Sequence, residues 1–111
     1  MSSKKLKITS AAGTNLTAVQ QLGGNLRGLV AVNTNAAIRF IKFYDVTDQI
    51  TVGTTVPVLT VQLAASSMTS IFPSDGINFK LGISLAMTVS AADSASDAVG
   101  AGDVIATVLY E

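Results

Sequence analysis

The sequence predicts an all-β protein: a single-domain antiparallel β-sandwich of jelly-roll type, built from about eight short strands. Three observations carry that expectation. From Phe79 to Ser90 the chain alternates strictly, with Phe79, Leu81, Ile83, Leu85, Met87 and Val89 on one side and Lys80, Gly82, Ser84, Ala86, Thr88 and Ser90 on the other. Successive side chains of an extended strand face opposite sides of a sheet, so this is one apolar face backed by a small, polar one. Similar short segments recur along the chain between clusters of Gly, Pro, Asn and Ser, which are turn formers. No segment shows the three-and-four spacing of an amphipathic helix.

Taken in order, Leu6 and Ile8 alternate with Lys5, Lys7 and Thr9, a brief strand whose lysines suit a sheet edge because they discourage further pairing. Residues 1–10 thus read as a basic amino-terminal arm or edge strand, and 11–111 as the sandwich. Leu16 to Leu22 is a second strand, closed at Gly23-Gly24-Asn25, a cluster suited to positive φ and a tight connection. Leu26 to Asn33 follows, with Leu26, Gly28, Val30 and Val32 expected on one face. Ile38 to Val46 is less simple: Ile38, Phe40 and Tyr44 share one face, Ile41 and Phe43 the other. Two explanations stand open, a β-bulge near Phe40 or a strand covered on both faces, one by the domain core and one by a neighbouring subunit. Val58 to Ala64 and Met68 to Phe72 are further strands, the latter stopped by Pro73. Ser74-Asp75-Gly76 turns into the long alternating segment, Ala91 to Gly102 reads as a long surface loop, and Asp103 to Tyr110 is the last strand.

Composition narrows the function. At 111 residues the chain is sized for one core. Only 13% of residues are charged against 49% hydrophobic, where soluble domains average about 25% charged. No apolar run approaches the ~20 residues of a membrane helix, so no membrane partner is expected. The weak charge points instead to surface buried against a partner or further copies, a homo-oligomer. Seven basic and seven acidic residues cancel, and Lys4, Lys5 and Lys7 form too small a patch for nucleic acid. The amino end lacks the apolar core of a secretory signal, so synthesis in a cytoplasm without export by that route is expected.

Chemistry is limited by what is missing. The chain has no cysteine and no histidine, which removes disulfides, Ser-His-Asp and Cys-His nucleophiles and ordinary zinc ligand sets. A carboxylate pair for glycoside hydrolysis is formally available, but the acids fall in loops and at chain ends. Asp93, Asp97 and Asp103 offer carboxylates on one loop, without the fixed Gly and closing Glu of an EF-hand. Gly23-Gly24-Asn25-Leu26-Arg27-Gly28 lacks the lysine of a phosphate loop. The expectation is a non-enzyme with no catalytic residues, no metal and no cofactor. Contact residues are expected at Lys4, Lys5 and Lys7, and on the doubly apolar segment at Arg39, Ile41, Phe43 and Tyr44.

Several stretches together resemble small structural proteins of tailed bacteriophages. They are Asn33 to Asp45 (NTNAAIRFIKFYD), Val52 to Thr60 (VGTTVPVLT), Gly76 to Ser84 (GINFKLGIS), the Ala92 to Asp97 loop and Ala101-Gly102-Asp103-Val104. The order and spacing match from about Leu26 to Tyr110. The resemblance implies a virion component made in the host cytoplasm, foremost a capsid cement (decoration) protein that stabilises the head shell. Its partners would be the major capsid protein and its own copies, a trimer being favoured because capsid lattices offer three-fold sites. A head-fibre or tail-associated module that binds a host glycan is the alternative. The resemblance transfers no catalytic residue.

Overall fold

The computed structural model describes residues 3–111, so Met1 and Ser2 of the basic arm lie outside the described residues. These form nine strands and no helix: β1 (Lys4–Thr9), β2 (Thr17–Gln20), β3 (Gly24–Asn33), β4 (Arg39–Tyr44), β5 (Leu59–Leu63), β6 (Ser67–Ile71), β7 (Ile77–Phe79), β8 (Ile83–Thr88) and β9 (Val104–Tyr110). One sheet runs β1-β9-β3-β6, with β7 also paired to β3; the other runs β2-β8-β4-β5. Every strand pair is antiparallel.

The pairs nest. β4 pairs β5, β3 pairs β6, β2 pairs β8 and β1 pairs β9. The chain is therefore one long hairpin rolled up, and the roll brings β9 beside β3 and β8 beside β4. That is the jelly-roll order, a five-stranded and a four-stranded sheet that bury one face each against the other. The expected fold is the observed one.

The core fills the space between the sheets. From the first sheet come Leu29, Ala31, Val104, Ala106 and Val108, and from the second Ile41, Phe43, Val61, Leu63, Ile83, Leu85 and Met87, none more than 5% exposed. Phe43 and Phe79 meet edge to face, ring centroids 6.4 Å apart at 64°. This geometry sets the electropositive ring edge against the π face. One polar group crosses the interior. Asn33 Nδ2 donates to the carbonyls of Ala37 and Leu63 at 2.9 and 3.1 Å, and its Oδ1 accepts from Asn35 N–H at 2.9 Å. It is fully buried and ties β3 of one sheet to the end of β5 in the other.

Three expectations need correction. The twelve-residue alternating segment is not one strand: β7 belongs to the first sheet, β8 to the second, and the chain crosses between sheets at residues 80–82. Leu81 is consequently 65% exposed, although Ile83, Leu85 and Met87 stay in the core. The crossing is pinned by Asp45, whose carboxylate accepts from the N–H groups of Lys80, Leu81 and Gly82 at 3.2, 2.8 and 3.4 Å. In β3 the expected common face breaks at a bulge between Leu26 and Gly28. Arg27 is the extra residue, so Leu26 shares the core with Leu29 and Ala31 while Val30 and Val32 turn outward. In β4 the register is continuous against both β5 and β8, which excludes a bulge at Phe40. The strand is covered on both faces, but the second cover is the chain's own.

The positive-φ expectation for the 23–25 turn holds at Gly23, with φ +85°. A Cβ there would also stand 2.5 Å from the Lys80 carbonyl oxygen.

Candidate contact surfaces

The outer faces of the two sheets differ, and the difference follows from which strands have a loop to spare. On the second sheet, Lys42 and Tyr44 of β4 and Ser84, Ala86 and Thr88 of β8 point away from the core, yet none exceeds 1% exposure. Their roof is the 89–99 segment, a strap lying across the sheet. Asp97 closes it on itself: Oδ1 accepts from Val89 and Ser90 N–H at 3.2 Å, and Oδ2 accepts from the Ser90 hydroxyl. Val99 pairs with Gly13 through mutual N–H to carbonyl bonds of 3.1 and 3.0 Å. Lys42 Nζ donates to the Ala92 carbonyl from below. A second loop, 46–57, abuts the strap, for a Cβ at Gly53 would lie 3.1 Å from both Ser94 O and Ser96 Cβ.

Burial decides the electrostatics under that roof. Loss of hydration pulls the Lys42 ammonium below the ordinary lysine range, against the attraction of Asp93 and Asp97. The same loss pushes the Tyr44 phenol up, and Asp93 adds to it. In the strap itself, Asp97 is held low first by the Ser90 hydroxyl and then by backbone N–H groups.

The first sheet has no such roof. Its outward positions align in rows across the strands by register: Lys5, Leu109 and Gly28; Lys7, Thr107, Val30 and Ser70; Thr9, Ile105, Val32 and Met68. Phe72 leans over Gly28, where a Cβ would stand 2.6 Å from the ring. Met68 and Phe72 are 65% and 60% exposed, and Val30, Val32, Ile105 and Leu109 are partly so. No acidic side chain stands in these rows. The face is apolar at its centre and basic along the β1 edge.

The sequence-predicted contact residues divide. Lys4, Lys5 and Lys7 are exposed on β1, an edge strand as expected, with Lys5 and Lys7 on the bare outer face. Arg39 is engaged within the chain: its Nε donates to Asp103 Oδ2 at 3.1 Å, in an ion pair with 12% and 14% of the side chains exposed, and its Nη1 to the Ile38 carbonyl. Ile41 and Phe43 have no exposed surface and lie in the core, and Tyr44 is sealed beneath the strap. All four are engaged within the chain: Arg39 by Asp103, Ile41 and Phe43 by the core between the sheets, and Tyr44 by the 89–99 segment. Residues of the bare face that the sequence reading did not single out are Val30, Val32, Met68, Phe72, Ile105 and Leu109. The available signal was in the last strand, where Ile105 and Leu109 flank Thr107 on the face opposite Val104, Ala106 and Val108.

Two of the three loop carboxylates weighed as metal ligands, Asp97 and Asp103, are engaged within the chain. Asp97 serves the strap, and Asp103 is held low by Gly100 N–H, the Asn35 amide and Arg39. Among the described residues no three acidic side chains converge. An apolar crevice between the sheets, near β5 and β6, is lined by Leu29, Phe43, Leu59, Val61, Ile71 and Pro73 and offers no polar group to orient a substrate. No protein-family model and no curated protein matches the chain.

Proposed function

We propose that the protein is a non-enzymatic structural subunit of a bacteriophage particle, a capsid cement (decoration) protein that docks on the head shell through the outer face of its β1-β9-β3-β6 sheet. The observation that carries this reading is the inequality of the two outer faces. The chain spends two loops covering β4 and β8 of one sheet and leaves the other apolar at its centre, with no acid in its three outward rows and with Lys5 and Lys7 at its edge. A bare apolar sheet face on a monomer marks a contact surface. The resemblance of the Asn33 to Val104 stretches to phage structural proteins supplies the particle. The jelly roll adds an analogy of fold alone, since viral capsid and lectin domains share it.

The size of the face fits a subunit that works in numbers. Four strands at ~4.8 Å by six residues at ~3.3 Å give a footprint of about 400 Å². A stable interface takes about 800 Å² per partner, so one face alone binds weakly. Association into a trimer multiplies the contact and raises the avidity without new chemistry.

Titration of empty capsids with the protein tests this reading. Saturable binding and a raised shell melting temperature are expected. Binding to host cells with no binding to capsids would overturn it in favour of a glycan-recognising fibre or tail module.

A further inference from the structure

Beneath the strap, two hydroxyls have no partner. Tyr44 and Ser84 stand directly opposite one another in the β4–β8 register, both within 1% of full burial, and neither Tyr44 OH nor Ser84 Oγ meets a hydrogen-bond partner among the described residues. Lys42 lies two residues along the same face, opposite Ala86. Its ammonium has three N–H donors, and its one hydrogen bond among the described residues goes to the Ala92 carbonyl. Thr88, by contrast, is satisfied by the Ser90 carbonyl at 2.8 Å. The two orphan hydroxyls therefore belong to cross-strand partners on one covered face, with Lys42 next along it.

Buried hydroxyls without partners are strongly disfavoured, and natural interiors satisfy them with protein or ordered water. The chemistry of the missing partner follows from the groups. It must accept from Lys42 or Tyr44, donate to Ser84 or Tyr44, and be small enough to be sealed under the strap with them. Asp93 and Asp97 on the strap already attract the Lys42 ammonium, and a neutral occupant adds no further buried charge. We propose that this spot is a hydration site holding one sequestered water molecule that bridges Tyr44 OH, Ser84 Oγ and Lys42 Nζ. The strap then does more than cover the sheet: it seals the water in, and the water completes the hydrogen bonding that lets a lysine and a tyrosine lie under a loop.

Isosteric variants test the site without emptying the fold. Tyr44→Phe and Ser84→Ala each remove one arm of the bridge. Each is expected to lower the folding equilibrium constant roughly three- to tenfold, and the double variant by less than the product of the two, because both remove the same water. Cross-relaxation between water and the Tyr44 and Ser84 protons in the parent should show a resident water that is lost in either variant. A Tyr44→Phe protein as stable as the parent or more so would mean that the hydroxyl is a true orphan, and would overturn the proposal. Coupled losses without resident water would mean a direct Tyr44–Ser84 bond, and would overturn it equally. Neither readout depends on the shell-binding function.

Discussion

Replacement of Asp45 by alanine is predicted to loosen the point at which the chain changes sheets. The carboxylate follows directly on β4 and holds the three residues between β7 and β8. Oδ1 takes Leu81 N–H at 2.8 Å and Gly82 N–H at 3.4 Å, and Oδ2 takes Lys80 N–H at 3.2 Å. One of these bonds is short and two are long, so the set is worth one charge-assisted hydrogen bond plus a fraction, about 2 kcal/mol. For a domain of this size that is a fall of roughly 8 °C in Tm. Asp45→Asn keeps Oδ1 but turns an NH2 group toward Lys80 N–H, and should lose about half as much. The pH dependence adds a second check. Burial pushes the Asp45 carboxyl up, but the three N–H groups and the Lys80 charge outweigh it and hold the group below its ordinary value. A carboxylate with a lowered folded pKa stabilises fully above its unfolded value, near 3.9, and loses that contribution as pH falls through the folded value. Thermal melts followed by circular dichroism should therefore show the gap between parent and Asp45→Ala in full near neutral pH and shrinking below about pH 4. Equal melting temperatures at neutral pH, or a gap that stays constant into acid, would refute the argument that this carboxylate pins the crossing.

Other outcomes follow from single residues. Asn33→Ala leaves buried carbonyls and an N–H without partners, so urea titration should show a loss of about 3 kcal/mol with an unchanged slope. Asp97→Ala removes the acceptor that closes the strap, and hydrogen exchange at the Val89 and Ser90 amides should speed up about tenfold while the core strands keep their protection. Lys5→Glu with Lys7→Glu reverses the charge of the β1 edge. Melting should move by no more than about 0.5 kcal/mol, while binding to empty capsids falls at low salt; unaltered binding would remove the basic edge from the docking surface. Light scattering at two concentrations should give the mass of a trimer; a monomer at both would confine assembly to the shell.

The strands were legible wherever apolar residues alternate between turn formers, because side-chain direction has period two and one face must be buried. The edge position of Lys4–Thr9 was legible from its lysines, and the Gly23 turn from glycine's tolerance of positive φ. The bare face was half legible. The lysines mark Lys5 and Lys7 as exposed on an edge strand, but the pattern does not show that Ile41 and Phe43 belong to the core and Tyr44 to the strap. A strand apolar on both faces says only that both faces are covered, and the cover over β4 comes from a loop about fifty residues away along the chain, as the Lys42–Ala92 bond shows. Alternation likewise cannot reveal a crossing between sheets, since Phe79 and Ile83 remain core residues on either side of it. The reversal of Val30 and Val32 depends on one extra residue at Arg27 that the pattern conceals.

Composition and local period establish the class of the protein: a single all-β domain, poor in charge, without the nucleophile and ligand sets that need histidine or cysteine. Those are statements about composition and local period, which no rearrangement of the elements alters. Which sheet face is bare, which hydroxyls are orphaned and which carboxylate pins the crossing emerge with the packing of the two sheets. Each of these depends on groups far apart in the chain, brought together by the rolled hairpin, and burial is a property of the neighbours a residue acquires.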